Sequence, residues 1–367
     1  MTLDTATGSG ILELDTMLED LGVLVNIESP SRDLDALAES AGALARLIEQ
    51  RLGGSAELID SPAGPHVHWR GGGEPKVLLL GHHDTVFPLG TLERRPFTVA
   101  EGRATGPGVF DMAAGIIQAV HAVGSLEDRS GCELLFSSDE EVGSRASREL
   151  IIERAQACGH VLVFEGSADG GLLKTARKGC GTFEVVIRGR ASHAGLEPEQ
   201  GVNALVEAAH QVLTVATIGR PEIGTTVTPT VASAGTADNV VPAEARVSVD
   251  VRVESADEKE RVEAEMAALT PNLAEAEIEV LGGVNRPPMP ESVSTELFAL
   301  AKQVAPWVDG TAVGGGSDGN FTGAAGVPTL DGLGAVGGGA HADHEYVMVD
   351  TMPVRGRLVA DIIANLP

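Results

Sequence analysis

Val77-Leu78-Leu79-Leu80-Gly81-His82-His83-Asp84-Thr85-Val86 is the stretch on which the fold turns. One valine and three leucines in a row read as a short strand buried on both faces. Gly81 ends the apolar run, and a histidine with an aspartate two residues later stands just past the strand's end. In an open α/β sheet, that is where ligands bind. Alternate residues on an extended segment share a face, so His82 and Asp84 point one way and His83 the other. A metal-binding histidine usually gives its second ring N–H to a carboxylate. His82 as a ligand with Asp84 behind it fits that rule; so does a hydrogen-bonded pair in a turn.

The same punctuation recurs downstream. Residues 132–136 form another apolar strand, which runs into Ser137-Ser138-Asp139-Glu140-Glu141. Like charges buried together are costly unless a cation or a shared proton offsets them. Three acids at the end of a core strand therefore point to function rather than to a solvated face. Residues 160–164 make a third strand, closed by Glu165. Residues 84–108 carry Pro and Gly and are too long for a plain connector; irregular loops of that kind are usually functional. They lead to Asp111, just ahead of a predicted helix over 114–126, where Asp111 taken alone is a helix N-cap. Upstream, apolar residues at helical spacing predict a helix over 34–52.

At 367 residues the chain is long for one core and predicts two domains. An apolar fraction of 43% with 46 glycines suits a loop-rich globular enzyme. The net charge of −27, from 53 acidic against 26 basic residues, argues against nucleic acid or an anionic membrane as partner. Cys132, Cys158 and Cys180 are odd in number and widely spaced, so no disulfide framework or cysteine zinc knuckle is expected. Residues 1–15 show no basic segment leading an apolar one, and no run approaches membrane-spanning length. The expected location is the cytoplasm, with reduced thiols.

Near residue 178 the texture changes. Residues 183–187, 225–231, 245–253 and 276–280 read as strands, and 204–217 and 257–268 as helices. That β-α-β-β-α-β order is ferredoxin-like. Strand-helix alternation resumes over 292–304, and a last helix is expected at 351–366. The predicted architecture is α/β: a catalytic domain with a mostly parallel central sheet flanked by helices, built from 1–177 and 286–367. An α+β ferredoxin-like domain at 178–285 is inserted into it.

His82, Asp111, Glu141, Glu165 and His341 form a candidate ligand set of two imidazoles and three carboxylates. Such donors suit Zn²⁺, with Co²⁺ or Mn²⁺ as substitutes. Five exceed one tetrahedral site with an open position, and suffice for two ions sharing a bridging carboxylate. Glu140, next to a ligand, is a natural general base toward water whose pKa a metal has lowered. His344 is an alternative to His341. The glycines before Ser317 lack the Lys-Ser/Thr of a phosphate loop.

The chain resembles the two-zinc peptidase family that contains glutamate carboxypeptidase, aminoacylase, acetylornithine deacetylase and succinyl-diaminopimelate desuccinylase. The resemblance is carried by Gly81-His82-His83-Asp84-Thr85-Val86, Gly106-Pro107-Gly108-Val109-Phe110-Asp111-Met112, Asp139-Glu140-Glu141-Val142-Gly143-Ser144 and Phe164-Glu165. Ala191-Ser192-His193-Ala194-Gly195, Asn239-Val240-Val241-Pro242-Ala243, Gly315-Gly316-Ser317-Asp318 and Ala340-His341-Ala342-Asp343-His344-Glu345-Tyr346-Val347 follow in the family's order.

The resemblance implies that His82 and Glu165 complete one metal and His341 and Glu141 the other, with Asp111 bridging. It makes Asp84 the residue that orients His82, and Glu140 the general base. It gives the inserted domain the roles of lid and dimer interface, with His193 polarising the scissile carbonyl, often across a homodimer. Asn239, Arg252 and Arg286 are its candidates for the substrate carboxylate. The implied reaction is zinc-dependent hydrolysis of a peptide or amide bond that releases a C-terminal amino acid from a small substrate. Gly-Gly-Gly-Ser-Asp-Gly-Asn at 314–320, and Glu rather than Asp at 165, resemble the glutamate carboxypeptidase branch. An N-acyl amino acid deacylase is the main alternative, and a non-catalytic metal-binding relative a more distant one. Many relatives carry Lys-Gly shortly after the bridging Asp; Met112-Ala113-Ala114-Gly115 departs from that and leaves the metal set untouched.

Overall fold

Leu78, Leu79 and Leu80 are wholly buried because their strand, Val77–His82, lies inside a six-stranded sheet covered on both faces. Removing each leucine from water is worth roughly 1.5–3 kcal/mol, and the strand's unbroken apolar run follows from burial on both sides. This computed structural model describes residues 12–367. The sheet order is Glu57–Ile59, His66–Arg70, Cys132–Ser137, Val77–His82, Val161–Val163, Thr329–Leu330. The last four strands are parallel and the first two antiparallel. One face packs on the helices Leu14–Val25, Leu34–Leu52, Ala114–Gly124 and Met352–Ala364, the other on Arg148–Cys158. His82 pairs in register with Ser137, so the segments that follow these two parallel strands leave the sheet at one edge.

The helix predicted over 34–52 begins at Leu34, where Asp33 caps it by accepting the Ala36 N–H. Two expectations differ from the structure. Residues 84–108 are not simply irregular: they hold a helical turn, Thr91–Arg94, and a hairpin, Thr98–Ala100 with Arg103–Thr105. That hairpin joins Tyr346–Met348 and Gly337–Gly338 in a second sheet. Its strands are two or three residues long, too short for a periodicity to register. Asp111 is not a helix cap either. It is non-helical (φ −119°, ψ 90°), and the helix starts at Ala114 with no side-chain cap. Gly115, in that helix's first turn, lets it lie against the strand bearing Glu165; a Cβ there would stand 2.1 Å from the Phe164 carbonyl oxygen.

The chain packs into two units: residues 12–176, 289–313 and 317–367, and residues 177–288 with 314–316. The second unit is a four-stranded antiparallel sheet in the order Thr226–Ala234, Glu244–Val253, Gly179–Arg188, Glu277–Arg286. Helices Ala204–Val215 and Ala256–Ala267 complete the β-α-β-β-α-β order. Val247, Val249, Val251 and Val253 alternate along one strand and turn inward, onto Ala208, Val262 and Met266.

Candidate metal centre

Four loops of the first unit deliver the candidate ligands. His82 ends the strand Val77–His82, Glu141 and Glu165 follow the parallel strands Cys132–Ser137 and Val161–Val163, Asp111 lies between Arg103–Thr105 and the helix from Ala114, and a fourth loop carries His341. His82 Nε2 lies 3.1 Å from Asp111 Oδ1 and 3.7 Å from Glu165 Oε1. His341 Nε2 lies 3.3 Å from Asp111 Oδ2 and 3.1 Å from Glu141 Oε2. Asp111 thus turns one oxygen to each histidine. Ligand atoms of His82, Asp111 and Glu141, and separately of His82, Glu140 and Glu165, fall within 4.8 Å of one another. His341, rather than its alternative His344, is the histidine brought to Asp111 and Glu141.

The donor chemistry fits divalent ions. Nδ1 of His82 donates to the Asp84 main-chain oxygen at 2.9 Å, which turns the Nε2 lone pair toward the carboxylates. A lone pair facing carboxylate oxygens is repulsive unless a proton or a cation stands between them. Donors 2.0 Å from a tetrahedral zinc lie about 3.3 Å apart, the scale of these separations. Glu141 Oε1 is buried with no hydrogen-bond donor. Burial opposes a charge on His82, yet its hydrogen bonds to Asp111 and Asp84 outweigh that and lift its pKa well above the ordinary value. Hydrogen bonds to Asp111 and Glu141 lift His341 to about 10. Burial pushes Asp111 up, but the bonds from His341 and His82 hold its carboxyl far below the usual range. His82, His341 and Asp111 thus each favour their charged forms here, while burial raises the pKa of the Glu141 carboxyl.

Asp84 does more than stand behind His82. Its Oδ1 is 3.4 Å from His82 Nδ1 and accepts the Glu140 N–H at 3.1 Å, and its Oδ2 accepts the Glu141 N–H at 3.2 Å and the Ser31 hydroxyl at 2.6 Å. His83 points away, as the alternation predicts. Its Nε2 donates to the Pro65 carbonyl, its Nδ1 lies 3.1 Å from Ser40 Oγ, and burial lowers its pKa to about 4. Asp318 accepts the hydroxyls of Ser137 and Ser144, which brace the loop carrying Glu140. Sequence reasoning missed Ser31 and Met112, whose sulfur accepts the His82 N–H at 3.3 Å. No spacing in the chain ties residue 31 to residue 84.

The remaining candidates lie in the second unit. His193 is exposed, and its Nδ1 accepts the N–H groups of Gly195 and Leu196 at 3.2 Å, so Nε2 is the protonated nitrogen. Asn239 lies on the adjoining segment, its carbonyl accepting the Ala194 N–H. Arg252 and Arg286 each pair in register with Cys180, one from either side. The Arg252 guanidinium is bound to Asp250 at 2.9 and 3.1 Å, an ordinary ion pair.

A family model, "Peptidase family M20/M25/M40", matches residues 78–365. Carboxypeptidase G2 of Pseudomonas sp. (strain RS-16) is 33% identical over 378 residues, covering 96% of this chain and 90% of that protein. Among solved structures, aminopeptidase PepT of Bacillus cereus ATCC 10987 superposes with a TM-score of 0.74 at 22% identity, covering 96% of this chain and 99% of that one. The M20 family metallo-carboxypeptidase Sso-CP2 of Sulfolobus solfataricus gives 0.73 at 18% identity, covering 95% and 98%. At those identities the two structures establish the fold alone.

Proposed function

This chain belongs to peptidase family M20/M25/M40, and from that premise we propose a carboxypeptidase that releases C-terminal glutamate from small amide-linked substrates. It is a metal-dependent hydrolase of peptide or amide bonds. The observation that carries the reading of the site is Asp111, with one carboxylate oxygen toward each histidine. His82 and Glu165 would hold one ion, His341 and Glu141 the other, and Asp111 both. Zinc is the proposed ion, with Co²⁺ or Mn²⁺ as substitutes. Ions held there supply Lewis acidity and lower the pKa of water.

Glu140 takes the proton of the attacking water and returns it to the leaving amine. Its main chain is pinned by Asp84, so the base and the ligand beside it are set by one carboxylate. His193, with Nε2–H as donor, is the proposed partner of the carbonyl oxygen as it becomes negative. Asn239, Arg252 and Arg286 are proposed for the substrate carboxylate, Arg252 being already held by Asp250. A homodimer through the second unit and a cytoplasmic location belong to the same proposal. Among the described residues no helix is long and apolar enough to cross a membrane.

Similarity to carboxypeptidase G2 over nearly the whole chain favours a carboxypeptidase over the deacylase alternative. Rates on benzoyl-glutamate, N-acetyl amino acids and dipeptides test it. The proposal expects kcat/KM for benzoyl-glutamate to lead by roughly tenfold or more, the discrimination that pocket contacts supply. A lead for N-acetyl amino acids of other side chains would assign a deacylase instead.

A further inference from the structure

Glu345 is wholly buried and lies four residues past His341, outside the proposed ligand set. Its Oε2 accepts the Gly108 N–H at 2.9 Å, and its Oε1 accepts the N–H groups of Phe110 and Asp111 at 2.8 and 2.9 Å. Three main-chain donors thus converge on one carboxylate from the loop that presents Asp111. Charge-assisted bonds of this kind are the stronger sort, and they fix the donors as firmly as the acceptor. The other side of Glu345 is equally constrained. Its N–H donates to the Ala342 carbonyl, and the Ala342 N–H to the Gly339 carbonyl, at 3.2 and 2.9 Å. Those successive turns enclose His341, which sits at φ +63°, a conformation that non-glycine residues adopt only where the surroundings dictate it. The His341 side chain is 52% exposed, so burial does not hold it in place.

We propose that Glu345 is a positioning residue that ties the Asp111 loop to the His341 loop and so sets the spacing between the two metal positions. This rests on the metal-centre reading given above. The chemistry is specific to a carboxylate: an amide at 345 would turn an NH₂ group toward main-chain N–H donors.

The test compares the full-length wild type with Glu345→Gln and Glu345→Ala. Hydrogen exchange of the peptide spanning 106–112 is read in the metal-free protein, Co²⁺ affinity and absorption spectrum by titration, and kcat and KM on benzoyl-glutamate. The expected result for Glu345→Gln is a folded protein with faster exchange at 106–112 and a changed Co²⁺ spectrum. Co²⁺ affinity should fall about 10–100-fold, as when a ligand-orienting partner is lost, and kcat should fall with KM little changed. Wild-type exchange, spectrum and affinity in a folded Gln variant would overturn the proposal. If the wild type binds no Co²⁺, the metal-centre reading fails and the spacing role with it, whereas exchange at 106–112 still reports whether the two loops are tied. Glu345→Ala, if it folds, should exceed the Gln variant in every readout; a smaller effect would also contradict the role assigned to the carboxylate.

Discussion

Asp84 accepts the N–H groups of Glu140 and Glu141 and the hydroxyl of Ser31, and its main-chain oxygen takes the Nδ1 proton of His82. Period-two alternation was enough to place Asp84 on the side of His82. It could not reveal that the nearest acceptor for the ring is the Asp84 carbonyl rather than its carboxylate, because that depends on the turn after the strand. Nor could it reveal the bonds to Glu140 and Glu141, which close over 56 and 57 residues. The family resemblance proposes Glu140 as the general base beside the candidate ligand Glu141. Glu140→Gln is therefore expected to lower kcat by about two to four powers of ten, the usual worth of a general base, with metal content unchanged. Single-turnover rates and metal analysis on the same preparation check this; a variant with near wild-type kcat would remove Glu140 from the base role.

Among the elements, strand Cys132–Ser137 and helix Arg148–Cys158 are joined by a buried acid. Glu133 accepts from Arg154 Nε at 2.9 Å and Nη2 at 2.7 Å, and lies 3.0 Å from His68 Nε2 on the neighbouring strand. Burial raises its pKa, but the hydrogen bonds to His68 and Arg154 outweigh that and bring it down to about 2 from an unperturbed 4.5. A folded-state pKa below the unfolded one gives stability that is full above about 4.5 and is lost as pH falls toward 2. Glu133→Gln should thus destabilise the protein at neutral pH by about 1–3 kcal/mol, the range for a hydrogen bond to a charged group. The gap between variant and wild type should narrow as pH falls through that window. Urea unfolding at pH 7, 5, 4 and 3 measures it, and a gap that stays constant would show that the charge on Glu133 contributes nothing.

The long helices and buried strands were legible because a 3.6 or 2.0 period persisted over enough residues, as at Leu34–Leu52 and Glu244–Val253. The hairpin at Thr98–Thr105 and the extended backbone at Asp111 were not, since each is fixed by partners far along the chain.

At the scale of the molecule, the recurrence of a strand followed by a carboxylate brings Asp84, Glu140, Glu141 and Glu165 to one edge of the central sheet, because parallel strands release their next residues there. His341 obeys no such rule. It comes from a glycine-rich loop ahead of a three-residue strand, and the family resemblance supplied it where periodicity could not. The four strands and two helices of the second unit follow the β-α-β-β-α-β order. The measurement that bears most directly on the whole account is anomalous diffraction at the zinc edge from crystals of the zinc-loaded protein. Two peaks about 3.5–4 Å apart are expected, one against His82 and Glu165, the other against His341 and Glu141, with Asp111 touching both. A single peak, or two that do not share Asp111, would contradict that arrangement.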